Sequence, residues 1–229
     1  MRRREAIIAG AFAGFGLVRP ALARTTPART TPVVLELFTS QGCSSCPPAE
    51  SLLGSLLARP DVIALSWHVD YWNYLGWRDP FADRQWTERQ RHYARALRAE
   101  VYTPALVVNG AHMVVGSDAA AVREAMAKVP ALTVPASLTR DGDGLVATVG
   151  TEAVTALLAI YDPERITAVG AGENTGRRLK EYRVVREIRP LSPGTQRIGG
   201  IDPSRGAAVL VQDAAGRVVG AAEWKPVSS

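Results

Sequence analysis

VVLELFTSQGCSSCPPAE, residues 33–50, contains three local signals in one run. Val33–Phe38 is a near-continuous apolar segment broken only by Glu36, the pattern of a central strand buried on both faces. A polar turn follows, carrying Cys43 and Cys46, the only two cysteines of the chain. From Pro47 to about Ala58 the apolar residues Ala49, Leu52, Leu53, Leu56 and Leu57 recur at helical spacing. Pro47 and Pro48 fall in the first turn, where a missing N–H costs little. A strand, a C-x-x-C turn and a helix set a dithiol at a helix N-terminus. Unpaired backbone N–H groups and the helix dipole there favour thiolate over thiol, and thiolate is the species that exchanges with disulfides.

The ends and the composition narrow the setting. The chain has 229 residues, 47% hydrophobic and 21% charged, as in ordinary folded proteins. Residues 1–23 read as an export signal, with Arg2, Arg3 and Arg4, an apolar run from Ala6 to Val18, and Ala21-Leu22-Ala23 as a cleavage site. The apolar run is shorter than the roughly 20 residues of a spanning helix, so no membrane span is expected after signal removal. Arg3-Arg4 just before that run also suits a twin-arginine signal. Formal charge is +5, of which Arg2, Arg3, Arg4 and Arg19 against Glu5 supply a net +3. The mature chain is then near +2, which gives no argument for nucleic acid as a partner. The expected location is periplasmic or secreted.

Residues 24–32 read as a polar, proline-rich lead-in. After the first strand and helix, Val62–Trp67 reads as a second strand, and residues 68–84 (HVDYWNYLGWRDPFADR) as an ordered aromatic loop with one helical turn. A helix is predicted from about Asp83, its cap, to Ala99. Ala105–Asn109 and His112–Val115 form a hairpin through Asn109-Gly110, and Ala119–Val129 a last helix capped by Ser117 or Asp118. Beyond Pro130 helical periodicity stops. Seven short runs follow: 131–139, 145–150, 154–161, 166–170, 179–188, 207–211 and 217–224. Turn signals separate them, which suits a small β-sandwich. The expected division is 33–130 and 131–229, and no internal repeat is seen.

The first half, strand-helix-strand-helix-strand-strand-helix with C-x-x-C after the first strand and Thr103-Pro104 before the hairpin, resembles the thioredoxin fold. The resemblance implies a cis Thr103–Pro104 bond beside the dithiol. It also makes Pro104 a site residue and Thr103 and Tyr102 the candidates for binding an extended substrate. The fold class expected is therefore α/β: a thioredoxin-like domain followed by a small all-β, sandwich-like domain. LELFTSQGCSSCPPAE, HVDYWNYLGWRDPF, RQRHYA, YTPALVVNG and GENTGRRLKEYRVVRE together resemble a narrower group, the exported bacterial thioredoxin-like proteins of domain-of-unknown-function family 1223. Asn73 stands where that pattern leads one to expect Asp, so no carboxylate role is carried to that position.

Cys43 and Cys46 have two readings. As a redox pair, Cys43 attacks a disulfide and Cys46 resolves the mixed disulfide, with Ser44 and Ser45 offering hydroxyls to the thiolate. As a permanent Cys43–Cys46 disulfide, they staple an exported chain. His68 and Asp70 follow the second strand. With the cysteines, His68 offers the elements of a soft copper or zinc site, but local hydrogen bonding is the stronger reading and no metal site is assigned. Tyr71, Trp72, Tyr74, Trp77 and Phe81 suit a lid near Cys43, with Trp72 placed close to the site, or the core of a long loop, which is favoured. Arg89, Gln90 and Tyr93 are its expected partners. Glu173-Asn174 with Arg177 and Arg178 either reaches the active face or forms a turn with a left-handed Asn, and the turn has the edge. Two functions follow. One is a thiol–disulfide oxidoreductase with no bound cofactor, acting on protein or small-molecule disulfides and exchanging electrons with a thiol- or disulfide-bearing partner. The other is a non-catalytic binding module for a metal such as copper, or for a protein, with a static disulfide. Oligomeric state leaves no mark on the sequence.

Overall fold

A computed structural model describes residues 31–152 and 155–226. The export signal and nearly all of the lead-in lie outside the described residues. Of that lead-in, Thr31 accepts a hydrogen bond from the Leu132 N–H through its Oγ1, at 2.9 Å.

The first half is thioredoxin-like. Strands β1 (Val33–Thr39) and β2 (Val62–His68) pair in parallel, β3 (Ala105–Val108) runs antiparallel to β1, and β4 (His112–Val115) closes a hairpin with β3. Asn109 and Gly110 make the hairpin turn with φ of 47° and 62°, the left-handed pair that Asn-Gly favours. Every residue of β1 is buried, and the pleat sorts them onto two faces. Val33, Leu35 and Leu37 pack under helices α1 (Pro47–Leu56) and α3 (Ala119–Lys128). Val34 and Phe38 pack under α2 (Arg84–Leu97) against Trp86 and Tyr93. Asp83 caps α2 as expected, accepting the Gln85 N–H at 2.8 Å, and Asp118 caps α3 by accepting from Ala120 and Ala121.

The second half is all β. A three-stranded sheet of β5 (Ala136–Asp141), β6 (Gly144–Val149) and β9 (Gly194–Ile198) packs on β7 (Thr155–Ala168), β10 (Gly206–Gln212) and β11 (Val218–Trp224). Leu138, Leu145 and Val149 meet Leu158, Ile160 and Val209 between them, which is the sandwich core. The two halves are more closely joined than the sequence suggests. The larger of these sheets continues the thioredoxin sheet through β8 (Arg178–Leu191), which lies beside β2 with Ser66 opposite Val184. The result is a single eight-stranded sheet in the order β11-β10-β7-β8-β2-β1-β3-β4. The described residues 155–161 and 166–168 of two expected runs belong to one 14-residue strand, β7, and β9 is a strand beyond the seven expected runs.

β7 and β8 form a long hairpin whose free end leaves the sheet and lies along α1. Tyr182 of β8 rests on Gly54 so closely that a Cβ there would stand 2.4 Å from the ring. A glycine inside a helix costs up to about 1 kcal/mol against alanine; here it admits the arm that the site requires.

Candidate functional site

Cys43 and Cys46 form a disulfide, with Cα atoms 5.5 Å apart. Cys46 is the N-cap of α1, and Pro47 and Pro48 occupy its first two helical positions. Ser45 Oγ lies 3.3 Å from Cys43 Sγ, one of the two hydroxyl contacts expected from the sequence. Thr103–Pro104 is cis. Ala105 faces Phe38 across the β1–β3 pair, so Pro104 stands at the end of β1 from which the cysteine loop departs. Trp72 donates from Nε1 to Thr103 Oγ1 at 2.8 Å and lies against Gly42. The backbone carbonyl of Tyr102 accepts from Gln90 Nε2.

Both cysteines are buried, Cys43 at 0% and Cys46 at 1% exposure. The cover is the loop between β7 and β8. Asn174 Nδ2 donates to the carbonyls of Gln41 and Cys43, each at 2.9 Å, and the Ser44 N–H donates to Glu173 at 3.0 Å. Arg177 holds the Asn174 side-chain oxygen at 2.8 Å, and Asn174 is fully buried. This corrects the turn reading. The segment reaches across to the cysteine loop, and its left-handed positions are Gly172 and Gly176, with Asn174 outside that region.

Beneath the loop lies a buried polar network. His68 Nδ1 is 2.7 Å from Asp79, which also accepts from the backbone N–H groups of Gln41 and Phe81. Gln41 bridges onward, donating to Glu181 and accepting from Trp77 Nε1. Burial, the largest single influence, opposes a charge on His68, but Asp79 together with Glu181 and Glu50 outweighs it, and the imidazole pKa rises to about 9. Asp79 resists protonation in turn: burial works against its charge, yet His68 holds its pKa below the ordinary value. Glu50 stands one helical turn after Cys46 and is also buried. Burial raises its carboxyl to about 7, against the pull of His68 and a hydrogen bond from Ser66 at 3.1 Å. Burial likewise raises Glu181. A cavity of about 200 Å³ touches Thr39, Cys46, Glu50, Arg178, Lys180 and Glu181, so one wall comes from each half of the chain.

Several residues singled out in the sequence thus converge: His68 lies under the cysteine loop through Asp79 and Gln41, and Trp72 lies over Gly42 and Thr103. Asp70 does not join them; it pairs with Thr87 Oγ1 at the start of α2. Among the aromatics, Tyr71 and Trp72 pack on the core, Phe81 meets His68 edge-on, and Tyr74 is 78% exposed. Asn73 accepts from the Asp79 N–H, holding the turn that aims Asp79 inward. Gln90 partners Tyr71, but Arg89 and Tyr93 serve Glu36 instead. Glu50 and Glu181 are site residues that the sequence reading misses. Glu50 carries a signal that could reveal it: a carboxylate on the apolar face of α1, beside Ala49 and Leu53.

Known proteins add the following. The model of a family described as protein of unknown function, DUF1223, matches residues 34–213. No curated protein matches. The fold is similar to the crystal structure of protein AGR_C_4864 from Agrobacterium tumefaciens, at 31% identity and a TM-score of 0.74 over 88% of this chain and 98% of that one. It is also similar in fold to HBP35 of Porphyromonas gingivalis, at 14% identity and a TM-score of 0.57 over 88% of this chain and 79% of that one.

Proposed function

The chain belongs to the DUF1223 family of proteins of unknown function, and from that premise we propose that it is an exported thiol–disulfide oxidoreductase. The observation that carries this reading is the Cys43–Cys46 disulfide at the N-terminus of α1 in a thioredoxin-like fold. Pro47 and Pro48 carry no N–H and the Ala49 and Glu50 N–H groups already donate to the Cys46 carbonyl, so on reduction it is the helix dipole that stabilises a thiolate there. Pro104, Thr103 and Tyr102 border the site, and a thiol- or disulfide-bearing partner supplies or removes electrons. The basic start and apolar run of residues 1–23 support export to the periplasm or beyond.

Glu50 gives the couple a proton partner. It follows Cys46 by four residues on one helix face, lines the same cavity, and titrates near 7 because of its burial. A carboxyl poised near ambient pH both accepts and returns a proton efficiently. Glu50→Gln keeps an acceptor for the Ser66 hydroxyl while removing the titration. Exchange should slow by about a hundredfold, the ordinary contribution of one proton-transfer group. The rise in rate through pH 7 should also vanish. An unchanged pH profile would assign Glu50 a structural role only.

The second reading is a binding module with a static disulfide, and the burial of both cysteines favours it. A redox titration of the mature chain against glutathione, read by thiol alkylation and mass, separates the two. A potential between about −120 and −270 mV is that of exchange catalysts. A disulfide still intact below about −300 mV is structural and would end the oxidoreductase reading.

A further inference from the structure

Access to the dithiol is unevenly distributed. On the side of Cys43 the approach is filled. Asn174 and Glu173 occupy the carbonyls of Gln41 and Cys43 and the N–H of Ser44, and Trp72 ties down the Thr103 hydroxyl beside them. The covering loop is itself braced. Gly176 N–H donates to Val169, Thr175 N–H donates to Gly172, and Trp77 packs against Gly170 and Gly172. On the side of Cys46 the cavity of about 200 Å³ opens between α1 and the arm of β8. That space admits a group the size of one amino acid, not a folded protein segment.

Charged side chains line the cavity. Glu50 and Glu181 line it, and burial raises both carboxyls against the pull of His68. His68, paired with Asp79, acts on both from behind. At the rim stand Arg178, which is exposed, and Lys180, which pairs with Glu164 at 2.9 Å. Lys180 is already neutralised by Glu164, so the cation offered to an anion at the mouth is the exposed Arg178.

Resting on the oxidoreductase reading, we propose that the reacting partner is a low-molecular-mass thiol or disulfide bearing carboxylates, and that it reacts at Cys46 through this cavity. A thiolate RS⁻ attacks Cys46 Sγ, the Cys43–Cys46 bond breaks, and Cys43 departs as thiolate. A second RS⁻ attacks the sulfur of R in the mixed disulfide, releasing RSSR and the Cys46 thiolate, which takes a proton from Glu50. Of the two protons that the RSH molecules lose on ionising, one goes to the Cys43 thiolate and one returns to Glu50, so the protein disulfide and two RSH become the dithiol and RSSR; the reverse sequence reduces RSSR. This order of attack is the opposite of the one the sequence suggests, in which Cys43 is the attacking sulfur.

The test uses the mature chain and oxidised glutathione as probe. Cys43→Ser and Cys46→Ser are each reduced, incubated with the probe, and followed by intact mass. Cys43→Ser, which retains Cys46, should acquire the glutathione adduct about tenfold faster than Cys46→Ser, as access governs thiol reactivity. The reverse ranking overturns the proposal while leaving the oxidoreductase reading standing. In the otherwise wild-type chain, Arg178→Glu with Lys180→Glu should slow reduction by glutathione about tenfold through lost steering, while reduction by cysteamine, whose attacking thiolate form is neutral overall, keeps its rate. Equal slowing of both reagents removes the anionic partner. A disulfide that both reagents leave intact defeats the oxidoreductase reading itself, a result distinct from either of the others.

Discussion

Replacing Arg89 by Leu is expected to destabilise the chain by about 3–5 kcal/mol, the usual cost of leaving one member of a buried ion pair without its partner. Glu36 sits in the middle of β1 and is fully buried. Arg89 grips it with two bonds, Nε to Oε2 at 2.6 Å and Nη2 to Oε1 at 3.0 Å, and the Tyr93 hydroxyl donates to Oε1 at 2.5 Å. Gln212 of β10 completes the set. Its side-chain oxygen accepts from Arg89 at 3.2 Å, and its Nε2 donates to the Tyr93 oxygen at 3.0 Å. The guanidinium also lies over the rings of Trp67 and Tyr93, with its carbon 4.9 and 5.1 Å from their centroids. Leu retains some packing, but it leaves a carboxylate in apolar surroundings with one donor. Urea unfolding of the oxidised chain measures the loss. Adding Glu36→Leu should restore much of it, because apolar side chains of similar volume often replace a buried pair at little cost. A single variant within about 1 kcal/mol of wild type, the scale of one ordinary hydrogen bond, would show that Tyr93 alone satisfies Glu36.

That network shows where sequence reading ends. Glu36 is visible as the one polar residue in an apolar strand, a position that demands a partner, yet nothing local says which. Its partners Arg89 and Tyr93 lie 53 and 57 residues away, and their neighbourhood in the chain points to the aromatic loop instead. Gln212, which joins them, lies further still, 123 residues beyond Arg89. Local signals are read correctly: the β1 strand, the Asp83 cap, the Asn109-Gly110 turn and the C-x-x-C turn each depend on neighbours in the chain, and of the two caps offered for α3, Ser117 or Asp118, the fold uses Asp118. The long β7 strand reads as two runs because Asp162-Pro163-Glu164-Arg165 looks like a loop. In the fold Asp162 is buried and held by Arg165, Arg186 and Arg205, so a polar interruption is accommodated within one strand. The short β9 alternates polar residues with no apolar run to mark it. The joining of the two sheets rests on the meeting of β2 and β8 far apart in the chain. The covering of the dithiol by Glu173 and Asn174 follows from the reach of the β7–β8 arm, which no spacing rule encodes.

Stability should fall as pH rises from about 6.5 to 9, by roughly 3 kcal/mol from His68 alone, since each pKa unit corresponds to about 1.4 kcal/mol. His68 titrates at an ordinary 6.5 when unfolded and at about 9 when folded, so the folded chain binds its proton more tightly. That contribution is complete below pH 6.5 and is lost as pH climbs through 9. Glu50 acts with the same sign in a lower window. Its carboxyl is raised from 4.5 to about 7, so the folded chain again holds the proton and loses that advantage between those values. Asp79 limits the opposite end: its pKa is lowered, so its contribution is present above the ordinary carboxylate range and disappears on acidification. The His68–Asp79 attraction is a single interaction and counts once. Urea unfolding of wild type and His68→Gln at about pH 6, 7.5 and 9 tests this. The variant should be the weaker protein at the lowest pH and should lose little more at the highest, whereas wild type declines toward it. Parallel decline of the two would place the alkaline loss elsewhere. The consequence reaches the dithiol, because the Asp79 oxygen that holds His68 also accepts the backbone N–H of Gln41 at 2.8 Å, two residues before Cys43. Alkaline pH raises the thiolate fraction of a reduced site while loosening the floor on which that site stands, so exchange and stability are set against each other by one buried imidazole.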